Sequence, residues 1–272
     1  MVSRVLRVGL RLVMGELARI PLVLGIFSCL LPVSIPFATF GSEPDNEVLL
    51  SAVEEGREAI RQWNYPAMTN AAQHLEEMDV EAGDDSFWRD YWAGTLYFHA
   101  VLFLNEAGER SKSAGLKSSA MASLRKALQA RPERSDAHAM MGTLYGIHIQ
   151  ARPATALWNG PKLMSHMKKA LAYGDGNPQV SYLMGVSTLK RAGTNSREID
   201  RANEFFMQAL EAYKLQQNQT RSPWEATWGH DHTLLFLGRA AEQKGDAAAA
   251  ASWYDQAVAM NPHLTRTEEG VE

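Results

Sequence analysis

Two imidazoles flank a carboxylate at His230-Asp231-His232, just after Trp228-Gly229. Those side chains can ligate a metal ion or move protons. On a helix, residues two apart point about 200° away from each other, so both histidines could meet one ion only in a loop. Asp231 has a simpler use as the N-cap of the following helix, with the histidines in its positive first turn. The capping reading is preferred, so neither a metal site nor a catalytic residue is assigned, and His230 and His232 stand only as the alternative ligand pair. His99, His138, His148 and His166 are scattered singly and read as packing residues. The sequence has no Gly-rich phosphate loop, Gly-x-Ser-x-Gly elbow, His-Glu-x-x-His helix or Cys-x-x-Cys pair. The reading is therefore non-enzymatic, with no cofactor.

The elements that would position any site are helices. Residues 120–130 set Ala120, Leu124, Ala127 and Leu128 on one stripe, with Arg125, Lys126 and Gln129 elsewhere. No alternating β-branched run stands between turn dipeptides, and the cluster from Val33 to Thr39 is interrupted by Pro36 and preceded by Pro32. Near the C-terminus, Leu237-Gly238 leads to Gly245-Asp246, then to Ala250, Tyr254 and Ala257, and closes at Asn261-Pro262. Gly238 lets one helix approach the next. Gly245-Asp246 ends the first helix and caps the second, and the prolyl ring stops it.

Three further copies lie upstream. Gly185 leads to Ala202, Phe206 and Ala209; Gly142 to Leu163, Met167 and Ala170; Gly94 to Ala120, Leu124 and Ala127. The glycine-to-alanine interval lengthens towards the N-terminus, and the extra residues fall in Asn105–Ser118, Ala151–Gly160 and Gly193–Arg197. Such segments predict loops crowding one rim.

This register resembles the tetratricopeptide repeat family over most of the chain past residue 85. The resemblance implies an all-α fold, a right-handed solenoid of antiparallel helix pairs. Residues 85–264 form the repeat array of about four pairs, residues 42–84 an atypical capping pair with helices near 46–63 and 66–78, and residues 265–272 a flexible tail.

Residues 1–41 differ. Arg4, Arg7, Arg11 and Arg19 precede an uncharged stretch from Ile20 to Phe40, the layout of an export signal or a retained membrane anchor. Pro21, Pro32 and Pro36 argue against a straight spanning helix, and Cys29 follows a segment somewhat like a lipoprotein box. The expected location is periplasmic or membrane-anchored, facing out of the cytoplasm, with membrane contact only through this segment. The chain of 272 residues has a net charge of −4 and no concentrated basic face, so nucleic acid is not an expected partner.

In the resembling family the first helix of each pair lines a concave groove that holds a protein or peptide. Carried over, the groove comprises Trp88, Tyr91, Thr95, Phe98 and His99; Asp136, Ala139, Thr143, Gly146 and Ile147; Gln179, Tyr182, Val186, Leu189 and Lys190; and His232, Leu235, Arg239, Glu242 and Gln243. Trp88 and Tyr91 are read as exposed lining residues, while Trp92, Trp158, Trp224 and Trp228 fill wedges between pairs. The function implied is an exported protein-binding scaffold. The insertions and export signal also look similar to the periplasmic T components of TRAP-type transporters, which implies instead a small apolar ligand in a cavity lined by Trp88, Tyr91, Phe98 and Tyr182.

Overall fold

The computed structural model describes residues 44–267, which form ten α-helices and two short 3₁₀ turns, with no strand among the described residues. The 1–41 segment and Cys29 lie outside them, as does most of the 265–272 tail. Consecutive helices pair: α1 (Pro44–Arg61) with α2 (Tyr65–Glu77), α3 (Asp84–Glu106) with α4 (Arg110–Ala130), and α5 (Ser135–Ala151) with α6 (Ala156–Tyr173). The series continues with α7 (Pro178–Ala192) on α8 (Ser196–Gln217) and α9 (His230–Gln243) on α10 (Ala247–Met260). First helices also touch in succession, α1 to α3 to α5 to α7 to α9. The result is an all-α, tetratricopeptide-like solenoid.

Local chemistry fixes the helix starts. The side chains of Asn64, Asn177, Asn195 and Asp246 accept backbone N–H groups of the turns they open, at 3.0–3.2 Å in their shortest bonds. Each such cap is worth about 1 kcal/mol. Pro66 and Pro178 sit in first turns, where their missing N–H removes no helical bond.

Within the four repeat pairs, the glycine of the first helix faces one large side chain of the second: Gly94 faces Leu124, Gly142 faces Met167, Gly185 faces Phe206 and Gly238 faces Tyr254. A Cβ on any of these glycines would come within 3.0 Å of that side chain. The flanking alanines Ala120, Ala127, Ala170, Ala202, Ala209, Ala250 and Ala257 are buried, so three pairs close at small residues on both sides of the glycine contact, and the α5–α6 pair, with Leu163 on the other side, at one. Gly56 does the same job between α1 and α3, against Leu96.

The expected rim loops are a correction. The surplus residues lengthen helices: α3 runs to Glu106 and α4 starts at Arg110, Pro153–Thr155 is a 3₁₀ turn leading into α6, and only Gly193–Asn195 separates α7 from α8. Gly115 and Gly160 have open space where a Cβ would be, and an unpacked helical glycine costs only about 1 kcal/mol. The long irregular segment lies elsewhere, from Asn218 to Gly229 between α8 and α9.

The capping pair also meets the far end of the stack. Trp63 lies 4.5 Å from the His232 ring, and Asn261 donates to the Arg61 carbonyl at 2.9 Å. Arg57 donates to the carbonyls of Pro223 and Glu225. The solenoid therefore curls until its first helix touches the connection to its last pair.

Candidate functional site

The 218–229 segment lies against the inner layer and occupies what the sequence presents as a groove. Trp224 stacks on Trp88 with ring centroids 6.1 Å apart, and its carbonyl accepts from Trp92 Nε1 at 3.0 Å. Trp228 sits 4.8 Å from His99, and 6.4 Å from both Phe98 and Tyr182. The Gln179 amide donates to the carbonyls of Ala226 and Trp228 at 3.3 and 3.2 Å, and the Tyr213 hydroxyl also donates to Trp228 at 2.8 Å. Irregular backbone whose carbonyls are held by side-chain donors is peptide-groove chemistry, and here the peptide belongs to the same chain.

The expectation that Trp88 and Tyr91 are exposed is thus corrected. Trp88, Tyr91, Thr95, Phe98, His99, Asp136, Ala139, Gln179, Tyr182, Leu189, His232 and Leu235 are all buried, beneath this segment and neighbouring helices. Arg239 keeps about a third of its side chain exposed, pairs with Glu106 at 3.0 Å and lies over Phe236; Glu242 and Gln243 are exposed.

A charge cluster clamps the segment. The Arg134 guanidinium grips Asp136 at 2.7 and 2.9 Å and Glu225 at 2.8 and 3.1 Å, while the Tyr91 hydroxyl donates to Asp136 at 2.7 Å. Burial, then the Asp136 charge, pushes the Tyr91 hydroxyl far above its ordinary pKa. Burial opposes the Arg134 charge, but Tyr91 and its two carboxylate partners more than restore it. Bidentate geometry suits arginine here, since its planar fork matches both carboxylates.

His230 and His232 part company. His230 stacks on Tyr213 at 4.8 Å, whereas His232 points to Asp231, 3.1 Å from Nδ1 to Oδ1, and is buried beside Trp63. Asp231 is not the N-cap: Gly229 holds that position, and Asp231, in the first turn, accepts from the His232 backbone and the Asn261 amide. Burial alone would raise the Asp231 carboxyl, yet the His232 charge and these hydrogen bonds hold it well below the usual range. Burial works against the His232 charge too, and Asp231 outweighs it, raising that imidazole. The cluster ties α9 to the turn after α10. No group of three or more His, Cys, Asp or Glu among the described residues could hold a metal.

His138 and His166 are not single. Their Nδ1 atoms are 2.8 Å apart, and His138 Nε2 lies 2.8 Å from the Pro132 carbonyl. That carbonyl needs a donor, so the proton of neutral His138 sits on Nε2 and its Nδ1 accepts from His166. The pair joins α5 to α6.

One part of the predicted surface stays open. Between the α5–α6 and α7–α8 pairs lies a cleft of about 550 Å³, and Thr143, Gly146, Ile147, Val186 and Lys190 line it. It exists because α6 makes only marginal contact with α7. Its other wall was missed in the sequence: Leu163, Met164, Met167 and Leu171 from α6, and Arg201 and Phe205 from α8. The signal was present as leucine and methionine at seven-residue spacing in Leu157, Met164 and Leu171.

A family model for the tetratricopeptide repeat matches residues 232–264, the span of α9, α10 and the turn after them. No curated protein matches the chain. The α3–α4, α5–α6 and α7–α8 pairs repeat the glycine-to-second-helix contact of the matched one. The chain thus carries a tetratricopeptide repeat at residues 232–264, at the end of an all-α array in which the three preceding helix pairs share its glycine contact.

Proposed function

We propose that the chain is a non-enzymatic scaffold that holds a protein or peptide partner outside the cytoplasm. A tetratricopeptide repeat supports a protein-interaction scaffold, and such repeats generally bind protein or peptide partners. The observation that carries the reading is the cleft between the α5–α6 and α7–α8 pairs. It is recessed and lined largely by apolar side chains, while the inner surface around Trp88, His99 and Gln179 is covered by the chain's own 218–229 segment. Location rests on the arginine-then-apolar start of the sequence.

A second reading, a small-ligand component of a TRAP-type transport system, has one observation in favour: the cleft volume falls in the range of small-molecule sites. It does not draw on Trp88, Tyr91, Phe98 and Tyr182, which are buried. Affinity capture of the full chain from its own cell envelope, with mass spectrometry of proteins and small molecules, separates the two. A stoichiometric protein partner supports the scaffold. A stoichiometric apolar metabolite without a protein replaces it with the second reading, and recovery of neither defeats both.

A further inference from the structure

We infer that the Leu157–Met164–Leu171 stripe of α6 and the cleft beside it seat an amphipathic helix of a partner protein whose polar flanks are acidic. The inference rests on the scaffold reading and names the class of partner.

The stripe has the form of a helix-pairing seam without a mate. Leu157, Met164 and Leu171 are 76%, 64% and 53% exposed. Seven-residue spacing keeps all three on one side of α6, over about 21 Å at 1.5 Å per residue. That is the length of a partner helix of about four turns. Met164 and Leu171 form one wall of the cleft, Phe205 on α8 stands across it, and Met167 and Met184 contribute to its lining. A second hollow, of about 580 Å³, shares Leu171 and Phe205 with the first and extends the recess along α8 to Leu215. Flexible, polarizable methionines suit a groove that moulds itself to another helix. A bilayer surface would meet the protruding Leu157 and Trp158 but leave such a recess unfilled.

Charge selects the occupant. The walls of the first hollow carry Lys190, Arg191 and Arg201 and no carboxylate, while the second carries Asp175 and Glu211 and no cation, so the acidic flanks of the occupant lie against the first. Glu106, whose charge Lys190 feels, is already paired with Arg239. The exposed face of α6 adds Lys162, Lys168 and Lys169, and that helix has no Asp or Glu, in a chain whose net charge is −4. A second copy laying its own α6 in the cleft would bring the same lysines against these cations. The chain's N-terminal segment would bring Arg4, Arg7, Arg11 and Arg19 against one Glu16. Both repel, whereas glutamates flanking an apolar stripe complete the cleft's charge.

The test uses the full chain and two synthetic helical peptides of about 20 residues, each with leucines at heptad spacing, one flanked by glutamates and the other by lysines. The glutamate peptide binds, binding weakens with added salt, and the lysine peptide binds at least about tenfold more weakly. Met164→Asp with Leu171→Asp lowers glutamate-peptide affinity about tenfold or more, and Arg191→Glu with Arg201→Glu does the same while improving the lysine peptide. All four side chains are exposed; should the first variant pair melt early, the charge-reversal pair carries the test. Equal binding of the two peptides, binding of neither, or indifference to both variant pairs overturns the inference. So does association with phosphatidylglycerol vesicles that falls in the α6 variant while peptide binding does not. A captured partner that stays on the Met164→Asp, Leu171→Asp chain overturns the inference and leaves the scaffold standing. Capture of nothing, with the glutamate peptide still bound and sensitive to the variants, counts against the scaffold reading alone.

Discussion

A Cβ placed on Gly238 would lie 2.3 Å from Cε1 of Tyr254, and one on Gly185 would lie 2.4 Å from Cε1 of Phe206. The two contacts are alike in distance and unlike in freedom, because Phe206 is fully buried whereas Tyr254 is half-exposed with its hydroxyl on Glu242 at 2.6 Å. Gly185→Leu should therefore destabilise by roughly 3 kcal/mol, with Gly238→Leu costing clearly less because Tyr254 can swing outward. Phe206→Ala should cost about 3–5 kcal/mol and Tyr254→Ala only about 1–2 kcal/mol. Urea unfolding of the four variants checks the ranking, and equal costs at the two pairs would contradict it.

The same contacts explain what the sequence discloses. Gly238, Tyr254 and the alanines around them are readable because helix pairs need small residues facing large ones at fixed turns, so register alone predicts contact. The first two helices, which lack that register, fall at Pro44–Arg61 and Tyr65–Glu77. Groove residues behave differently. The family resemblance implies an inner face for Tyr91 and Gln179 but carries no information about what covers that face, and Gln179 is bonded to an irregular segment more than 30 residues beyond it. The His138–His166 contact is likewise tertiary: the spacing of 28 residues depends on how far α5 and α6 extend around their turn.

Gln179 joins α7 to the 218–229 segment by two hydrogen bonds to carbonyls. Each carbonyl has a second donor, Arg221 at Ala226 and Tyr213 at Trp228, so losing the amide leaves neither unpaired. Gln179→Met should accordingly cost only about 1–2 kcal/mol in global stability. Its larger effect is local: amide exchange from residue 222 to 228 should quicken while exchange in α9 stays slow. Unchanged exchange in that segment would mean that Trp224, Glu225 and Trp228 suffice to anchor it.

Among the described residues no helix is long and apolar enough to cross a membrane, and all of them fall within one compact unit. A chain beginning at Ser42 should fold with the helical circular dichroism of the array and remain in solution. The full-length chain should fractionate with membranes or be recovered shortened outside the cytoplasm. Recovery of the intact full-length chain from the cytosol would remove the proposed location and leave the scaffold untouched.

Acid should weaken the fold, and His99 is the residue through which to measure it. Burial, then the neighbouring His232 charge, pushes the His99 imidazole down to about 3. Burial, then the charge of His138, takes the half-exposed His166 down to about 4. A histidine whose folded pKa lies below its unfolded value, about 6.5, binds its proton more readily in the unfolded chain. Its contribution is therefore full above that value and is lost as pH falls towards the folded pKa. His232 runs the other way: its raised pKa gives stability that is present in acid and declines as pH rises through the folded value. Parent stability thus mixes opposing contributions, and the His99 share is best read by difference. His99 has no hydrogen-bond partner at either ring nitrogen and lies between Phe98, Trp63 and Trp228, so phenylalanine fits its surroundings. Between about pH 7.5 and pH 5, His99→Phe should lose about 2 kcal/mol less stability than the parent. Denaturant unfolding of both proteins across that range measures the difference, and parallel curves would mean that His99 takes up no proton on unfolding there.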